Sequence, residues 1–443
     1  MKVRLLLILS FLLIITGINS QDAICGFANP ADTLPARFDP VIATQQYIDQ
    51  LSADQKERSD EYFEGGYWLL LVNMVYEIIV AWIFLSLGLS GWIKKTAIKV
   101  RKKNLQNLIY AAFYFLFFYL LCFPLALYQG FFREHIYHLS NLSFGGWLRE
   151  EMISLSLQIV LGSIVVMLLY IAIRRTGENW WKWGTGVGIV FLILIIFISP
   201  VFIAPLFNQY KPLDEGPLKK EILSLARANG VPADNVYMFN ASKQSTRISA
   251  NVSGIGSTIR ISLNDNLLNQ CSFQEIKAVM AHEIGHYVLN HMVKLILGFG
   301  VLLFIAFALV GWIMKKALSR WGSRWKISDM SDIRGLPLIM VLFSLFIFLT
   351  TPLQNNLSRN VELEADYFGL NAAREPDAFA SVIMKLSEYR KISPGHWEEI
   401  IFYDHPSGKT RIFNAMRWKA ENMLLKSQAE MQNQQIPRND NTK

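Results

Sequence analysis

Apolar positions come along this chain in long blocks, not in alternation. Six runs, at about 66–92, 105–129, 151–173, 185–206, 293–314 and 336–352, approach or exceed the roughly 20 residues that cross a bilayer as helix. One such run is easily a buried core helix, but six are not. A seventh run, Leu5 to Ile15, follows Lys2 and Arg4 and is short for a span. Ser20 offers a small residue near a cleavage position, so residues 1–20 are expected to be a signal peptide, or otherwise a first transmembrane helix. The expected fold is an α-helical polytopic membrane protein with about seven transmembrane helices, residues 21–208 forming its N-terminal membrane domain.

Two stretches read as water-soluble. Within 207–272, PLKKEILSLARANG puts Leu218, Ile222 and Leu225 on one helical face, with Gly230 as a C-terminal stop. VYMFNA, STRISANVSG and STIRISL then alternate and are rich in β-branched residues, which predicts a small antiparallel sheet. Residues 353–443 read as helical, with a polar, disordered tail over 426–443. Residues 209–425, with the spans at 293–314 and 336–352, make the second expected domain.

Charge refines the topology. The chain is 52% apolar with formal net charge +8, and its mean hydropathy is +0.27. The excess positive charge sits in short loops: six Lys/Arg in 94–103, three in 174–183 and six in 315–334, against only Arg133 and Arg149 in 130–150. By the positive-inside rule the three basic loops face the cytoplasm, which places both soluble regions on the opposite side. No basic-aromatic nucleic-acid motif is evident, so no nucleic acid partner is expected; the lipid bilayer is one. Cys25, Cys122 and Cys271 form no CxxC pair, which argues against a disulfide framework or a thiolate zinc site.

The chemistry is concentrated in AVMAHEIGHYVLNH, residues 278–291. Ser272 and Glu275 form a capping-box pattern that starts a helix just upstream. On it His282 and His286, four apart, share a face and can offer an imidazole nitrogen each to one Zn2+. Glu283, about 100° away, reaches the metal-bound water instead. Zinc lowers that water's pKa toward 7, and the carboxylate takes its proton during attack on a peptide carbonyl. A catalytic zinc needs a third ligand, and SRNVELEADYFG (358–369) supplies a candidate. Glu362 and Asp366 share a helix face: the first can ligate zinc, the second orient a ligand histidine from behind, while Glu364 points away. Taken alone, this acidic segment would read as a solvated face balancing Arg359. His291 follows on the same helix and reads as an interfacial polar residue, and Glu77 is expected to face a cavity or a polar neighbour.

HEIGH, followed about 75 residues later by ELEAD after an intervening apolar pair, resembles the type I CAAX prenyl protease family of integral-membrane zinc metallopeptidases. IAPLFNQYKPLDEGPLKKEI (203–222) and YDHPSGKTRI (403–412) extend the likeness. It implies one Zn2+ per chain on His282, His286 and Glu362, with Glu283 as general base. It also implies that His405 stabilises the oxyanion and that Arg411 orders that region. A strand edge at Arg247 to Val252 would pair with the substrate backbone through Ser249, Ala250 and Asn251; where the family shows Asn-Ala, this chain has Ser249-Ala250. The implied fold is a ring of helices around an internal, water-filled chamber, with a small α+β zincin-like soluble domain between the fifth and sixth spans.

The implied activity is hydrolysis of peptide bonds in a peptide or protein substrate, removing the C-terminal residues of prenylated proteins. The alternatives are a quality-control protease for unprenylated membrane or exported proteins, and a non-catalytic membrane chaperone or transporter with a vestigial site. The resemblance favours a cytoplasmic active site, whereas the loop charges favour an extracytoplasmic one.

Overall fold

The computed structural model describes residues 38–254 and 259–435; the expected signal peptide or first helix lies outside them. The chain divides into a main unit, Val41–Lys419, and a terminal unit, Met1–Pro40 with Ala420–Lys443. Of the terminal unit, residues 38–40 and 420–435 are described, the latter belonging to the helix Gly408–Gln435. The polar tail expected to be disordered from Lys426 is therefore helical as far as Gln435. Its residues, KSQAEMQNQQ, are mostly strong helix formers, and low hydropathy does not by itself oppose a helix.

Among the described residues, four helices are long and apolar enough to cross a membrane: Ala53–Ser86, Lys103–Ile136, Phe144–Phe207 and His291–Trp325. A fifth candidate is the pair Ile333–Leu349 and Thr351–Ala373, bent by 56°. The Phe144–Phe207 stretch doubles back at Gly177 (φ 54°), and Gly184 of its second arm lies against Leu169 of its first. Its two arms hold two of the six expected blocks. The block expected at 66–92 is displaced. Its helix starts at Ala53, where Ser52 Oγ accepts from Gln55 N, and ends at Ser86. Gly88 (φ 80°) then turns the chain into a separate helix, Leu89–Ala97. Hydropathy sees only the apolar part of such a helix; the polar turns ADQKERSDEYFEGG continue the same hydrogen-bond ladder beyond it.

Phe84, Ile93, Tyr110, Tyr170 and Met314 are buried in the core where these helices meet, while Trp68, Ile78, Trp82, Phe197, Leu297 and Val301 are exposed, as a lipid-facing surface requires. An open cavity of about 810 Å³ lies among the helices, reaching from Leu69 and Gly130 to Ser245 and Arg247. Glu77 lines a smaller pocket of about 170 Å³ with Tyr114, Gln158 and Ser344, the polar company its sequence context led us to expect.

Between Phe207 and His291 the chain leaves the long helices and builds a four-stranded sheet: β1 (Tyr210–Pro212), β2 (Val236–Phe239), β3 (Ala250–Ser253) and β4 (Arg260–Asn264), in the order β1-β2-β4-β3. The sheet is mixed, not antiparallel as expected, because β2 and β4 run parallel. The segment after β2 carries the chain past β4's place in the sheet to the edge, so β3 and not β4 becomes the antiparallel return. β1, three residues with one proline, carried no alternation to be read. The helix Pro217–Ala228 forms as expected, with Ile222 and Leu225 buried and Gly230 at φ 73° beyond its end.

Candidate functional site

The helix Phe273–Val288 begins at Ser272. Ser272 N donates to Glu275 Oε2 (2.6 Å) and Ser272 Oγ accepts from Glu275 N (3.3 Å), the reciprocal cap read from the sequence. Ile276, Met280 and Ile284, four apart, are buried with Ile261 and Leu263 of β4 in one core. His282 and His286 stand two positions on from that stripe, about 200° around the axis, so burying one face aims the imidazoles away from the sheet.

That face meets the helix Thr351–Ala373. The approach is close because glycine stands on both sides of the contact. A Cβ on Gly369 would lie 3.0 Å from the backbone nitrogen of His282, and one on Gly285 3.0 Å from the Phe368 ring. Glu362 is thereby brought to both histidines. His282 Nε2 lies 3.1 Å from His286 Nε2 and 3.3 Å from Glu362 Oε2, and His286 Nε2 lies 3.6 Å from Glu362 Oε1.

These separations can be tested against a metal. A tetrahedral zinc with bonds near 2.0–2.1 Å separates neighbouring ligand atoms by about 3.3–3.4 Å. The two imidazole nitrogens, 3.1 Å apart, and the carboxylate, with Oε2 3.3 Å from His282 and Oε1 3.6 Å from His286, stand near that edge. The buried Glu362 Oε2 also lacks a hydrogen-bond partner, although Nε2 of His282 and of His405 each stand 3.3 Å away. The donor set, two imidazoles and a carboxylate, fits zinc.

Behind His282, its Nδ1 stands 2.8 Å from Asp366 Oδ1. Asp366 in turn accepts from Arg411 Nε (2.8 Å) and Nη2 (2.6 Å), and both residues are buried. Burial alone would lower the His282 pKa, but the Asp366 and Glu362 carboxylates outweigh it and hold the metal-free imidazole up at about 9. Burial, reinforced by the adjacent His282, pulls His286 down to about 4. Burial pushes Glu283 up to about 7, against the pull of His282.

The other expected residues are placed as follows. His405 is at the cluster, on the Glu362 side, with Nδ1 2.9 Å from Asp404 Oδ1. Ala250 and Asn251 lie in β3, an edge of the sheet, whose one partner strand among the described residues is β4. Ser249 precedes the strand, and its N–H donates to Asn264 Oδ1 at 3.0 Å. Sequence reasoning missed two groups. Arg359, taken as a charge balance, donates to the carbonyls of Glu399 (2.8 Å), Ile400 (3.1 Å) and Tyr403, and so caps the C-terminal end of the helix His396–Phe402, just before His405. His291, taken as an interfacial residue, is buried, with Nδ1 2.9 Å from His286 Nδ1 and Nε2 3.1 Å from Glu364 Oε2. Glu364 does point away from the cluster, and it points to His291. The available signal was Asn290, a residue that tolerates a left-handed break between the two helices.

Two family models match the chain. "Peptidase family M48" covers residues 212–419, and "CAAX prenyl protease N-terminal, five membrane helices" covers residues 32–209. Among similar proteins, an uncharacterized metalloprotease of Bacillus subtilis is 31% identical over 63% of this chain and 66% of its own length. CAAX prenyl protease 1 of Saccharomyces cerevisiae is 30% identical over 65% of this chain and 67% of its own. The crystal structure of Ste24p from S. mikatae superposes with a TM-score of 0.69 at 24% identity, covering 85% of this chain and 94% of that one, a likeness of fold.

Proposed function

Since the chain belongs to the CAAX prenyl protease family within peptidase family M48 and is an integral, multi-pass membrane protein, we propose that it is a zinc metalloendopeptidase, with His282, His286 and Glu362 holding the ion. The observation that carries this reading is the convergence of two imidazoles and a carboxylate from two helices, close enough together to hold one ion. Bound there, zinc would supply Lewis acidity and bring the acidity of a water near neutrality.

The protein's own groups do the rest. Glu283, one position along the helix from His282 and with its carboxyl lifted toward 7, accepts a proton from the attacking water and returns it to the leaving amine. His405 donates to the oxygen that gains charge as the carbonyl is attacked. Asp366 and Arg411 fix the His282 ring from behind. The open side of β3 offers main-chain hydrogen bonds to an extended substrate through Ser249, Ala250 and Asn251. In domain terms, we read residues 209–425 as the metallopeptidase domain and residues 21–208 as the N-terminal membrane domain.

The name of the yeast relative, CAAX prenyl protease 1, points to the first substrate class, prenylated CAAX proteins, whose C-terminal residues the sequence resemblance implies are removed. One observation favours a second class, unprenylated membrane or exported proteins. The three basic loops meet at one end of the helices: Lys94 pairs with Asp332 (2.9 Å), Arg174 donates to Asn104 (2.5 Å) and Lys315 pairs with Glu178 (2.5 Å). Along one helix, Lys315 is about 36 Å from His291 beside the cluster. By the positive-inside rule this arrangement favours an extracytoplasmic active site.

Comparing membrane proteomes made with the wild type and with Glu283→Gln tests both readings. Loss of defined cleavage products with zinc retained is expected; cleavage undiminished in the variant would remove Glu283 as base. Whether the lost products are prenylated C-terminal peptides or fragments of exported proteins decides the substrate.

A further inference from the structure

His286 turns Nε2 toward His282 and Glu362, so the ring's other nitrogen faces backward. There Nδ1 meets Nδ1 of His291 at 2.9 Å. Two imidazole nitrogens at that distance share a hydrogen bond only if one of them carries the proton. A ring that gives its Nε2 lone pair to a metal keeps its proton on Nδ1. His286 is therefore the donor and His291 Nδ1 the acceptor. His291 must then carry its own proton on Nε2, and that atom lies 3.1 Å from Glu364 Oε2. Lys294 contacts the same carboxylate oxygen. Each proton in this chain points away from the cluster and toward the carboxylate. With His291 only 1% exposed, water has no room to take its place.

The backbone is shaped for this contact. On an unbroken helix, a residue five positions after His286 would lie about 140° around the axis from it. The helix instead stops at Val288, Asn290 adopts the left-handed region (φ 54°), and a new helix opens at His291. The break swings the His291 ring back over His286, to a centroid separation of 5.0 Å at 75° between planes.

We propose that His291 is a positioning residue for His286, fixing its tautomer and ring orientation, and that Glu364, backed by Lys294, fixes the tautomer of His291 in turn. The proposal rests on the zinc reading above and deepens it: each ligand histidine has its own backing group, Asp366 for His282 and His291 for His286.

The test is zinc binding, measured without turnover on the full-length protein in detergent, by competition with a chromophoric chelator and by the rate of zinc release. His291→Leu should weaken zinc by roughly 10–100-fold, as loss of an outer-shell partner does elsewhere. His291→Asn, whose side-chain oxygen still accepts from His286, should recover most of that loss. Glu364→Gln, at a half-exposed position that is safe for folding, should weaken zinc several-fold. Wild-type affinity in either His291→Leu or Glu364→Gln would overturn the proposal. So would equal weakness of His291→Asn and His291→Leu, which would show that the ring only packs. A wild-type protein that binds no zinc would overturn the metal reading and this proposal together, an outcome distinct from the variant results.

Discussion

The two histidines of the motif differ in what stands behind them. His282 backs onto Asp366, which is 1% exposed and doubly bonded to a buried Arg411. His286 backs onto another imidazole, which leads outward to Glu364 and Lys294, side chains about half exposed. The first support is an ion pair inside protein, where removing one partner strands the other. The second runs from the interior to the surface, where water screens its last link. One zinc would thus be gripped by one rigid and one compliant ring, so the inner side should be where substitutions cost folding and the outer side where they cost affinity.

The largest effect expected from breaking that contrast is Asp366→Ala. It leaves the Arg411 guanidinium buried without its partner, a loss on the order of 3–5 kcal/mol, so the variant should be poorly folded even in saturating zinc. Thermal unfolding in detergent checks this, and an unfolding curve like that of Glu364→Gln would erase the distinction. Gly369→Ala comes next. Its added methyl would press on the His282 backbone at 3.0 Å, and overpacking of this kind costs about 1–3 kcal/mol. Because Gly369 abuts His282 and not His286, stability and zinc affinity should fall together.

The pH dependence of the chelator-stripped protein sharpens the comparison further. His282 is raised from 6.5 to about 9, so its contribution is complete below pH 6.5 and is lost as pH rises through 9. Glu283, raised from 4.5 to about 7, acts in the same direction, its contribution being lost as pH rises through 7. His286, lowered from 6.5 to about 4, acts oppositely, complete above 6.5 and lost as pH falls through 4. The stripped protein should therefore lose several degrees of thermal midpoint between pH 7 and 9, and zinc should abolish the slope; a flat profile without metal would contradict the His282 environment. The smallest expected effect is that of salt. Raising ionic strength from 0.1 to 1 M shortens the screening length from about 10 to about 3 Å. It should speed zinc release by less than about threefold in the wild type, through the exposed Lys294–Glu364 pair, and not at all in Lys294→Met.

The inner support was legible in the sequence and the outer one was not, for a geometric reason. His282 and His286, and likewise Glu362 and Asp366, are four residues apart on continuous helices, where spacing determines direction. His291 lies beyond a helix break, where spacing determines nothing, so periodicity extended through Asn290 put it at the interface. Arg359 was missed in the same way, because its partners are carbonyls at the end of a helix some forty residues on. The six apolar blocks forecast the long helices because each one supplies its own hydrogen bonds. The parallel pairing of β2 with β4 depends on which strand takes the sheet edge, and no local pattern records that.

Both arms of the His-Glu cluster continue into apolar helices: the HExxH helix through the Asn290 break into His291–Trp325, and the Glu362 helix across a 56° elbow into Ile333–Leu349. A soluble fragment trimmed at either junction would forfeit the carboxylate arm or the His291 prop, whatever became of its sheet. The site in this protein is mortgaged to the bilayer, and forces that slide those two rods past one another, such as lateral pressure or a change in acyl-chain length, would be felt at the proposed zinc site.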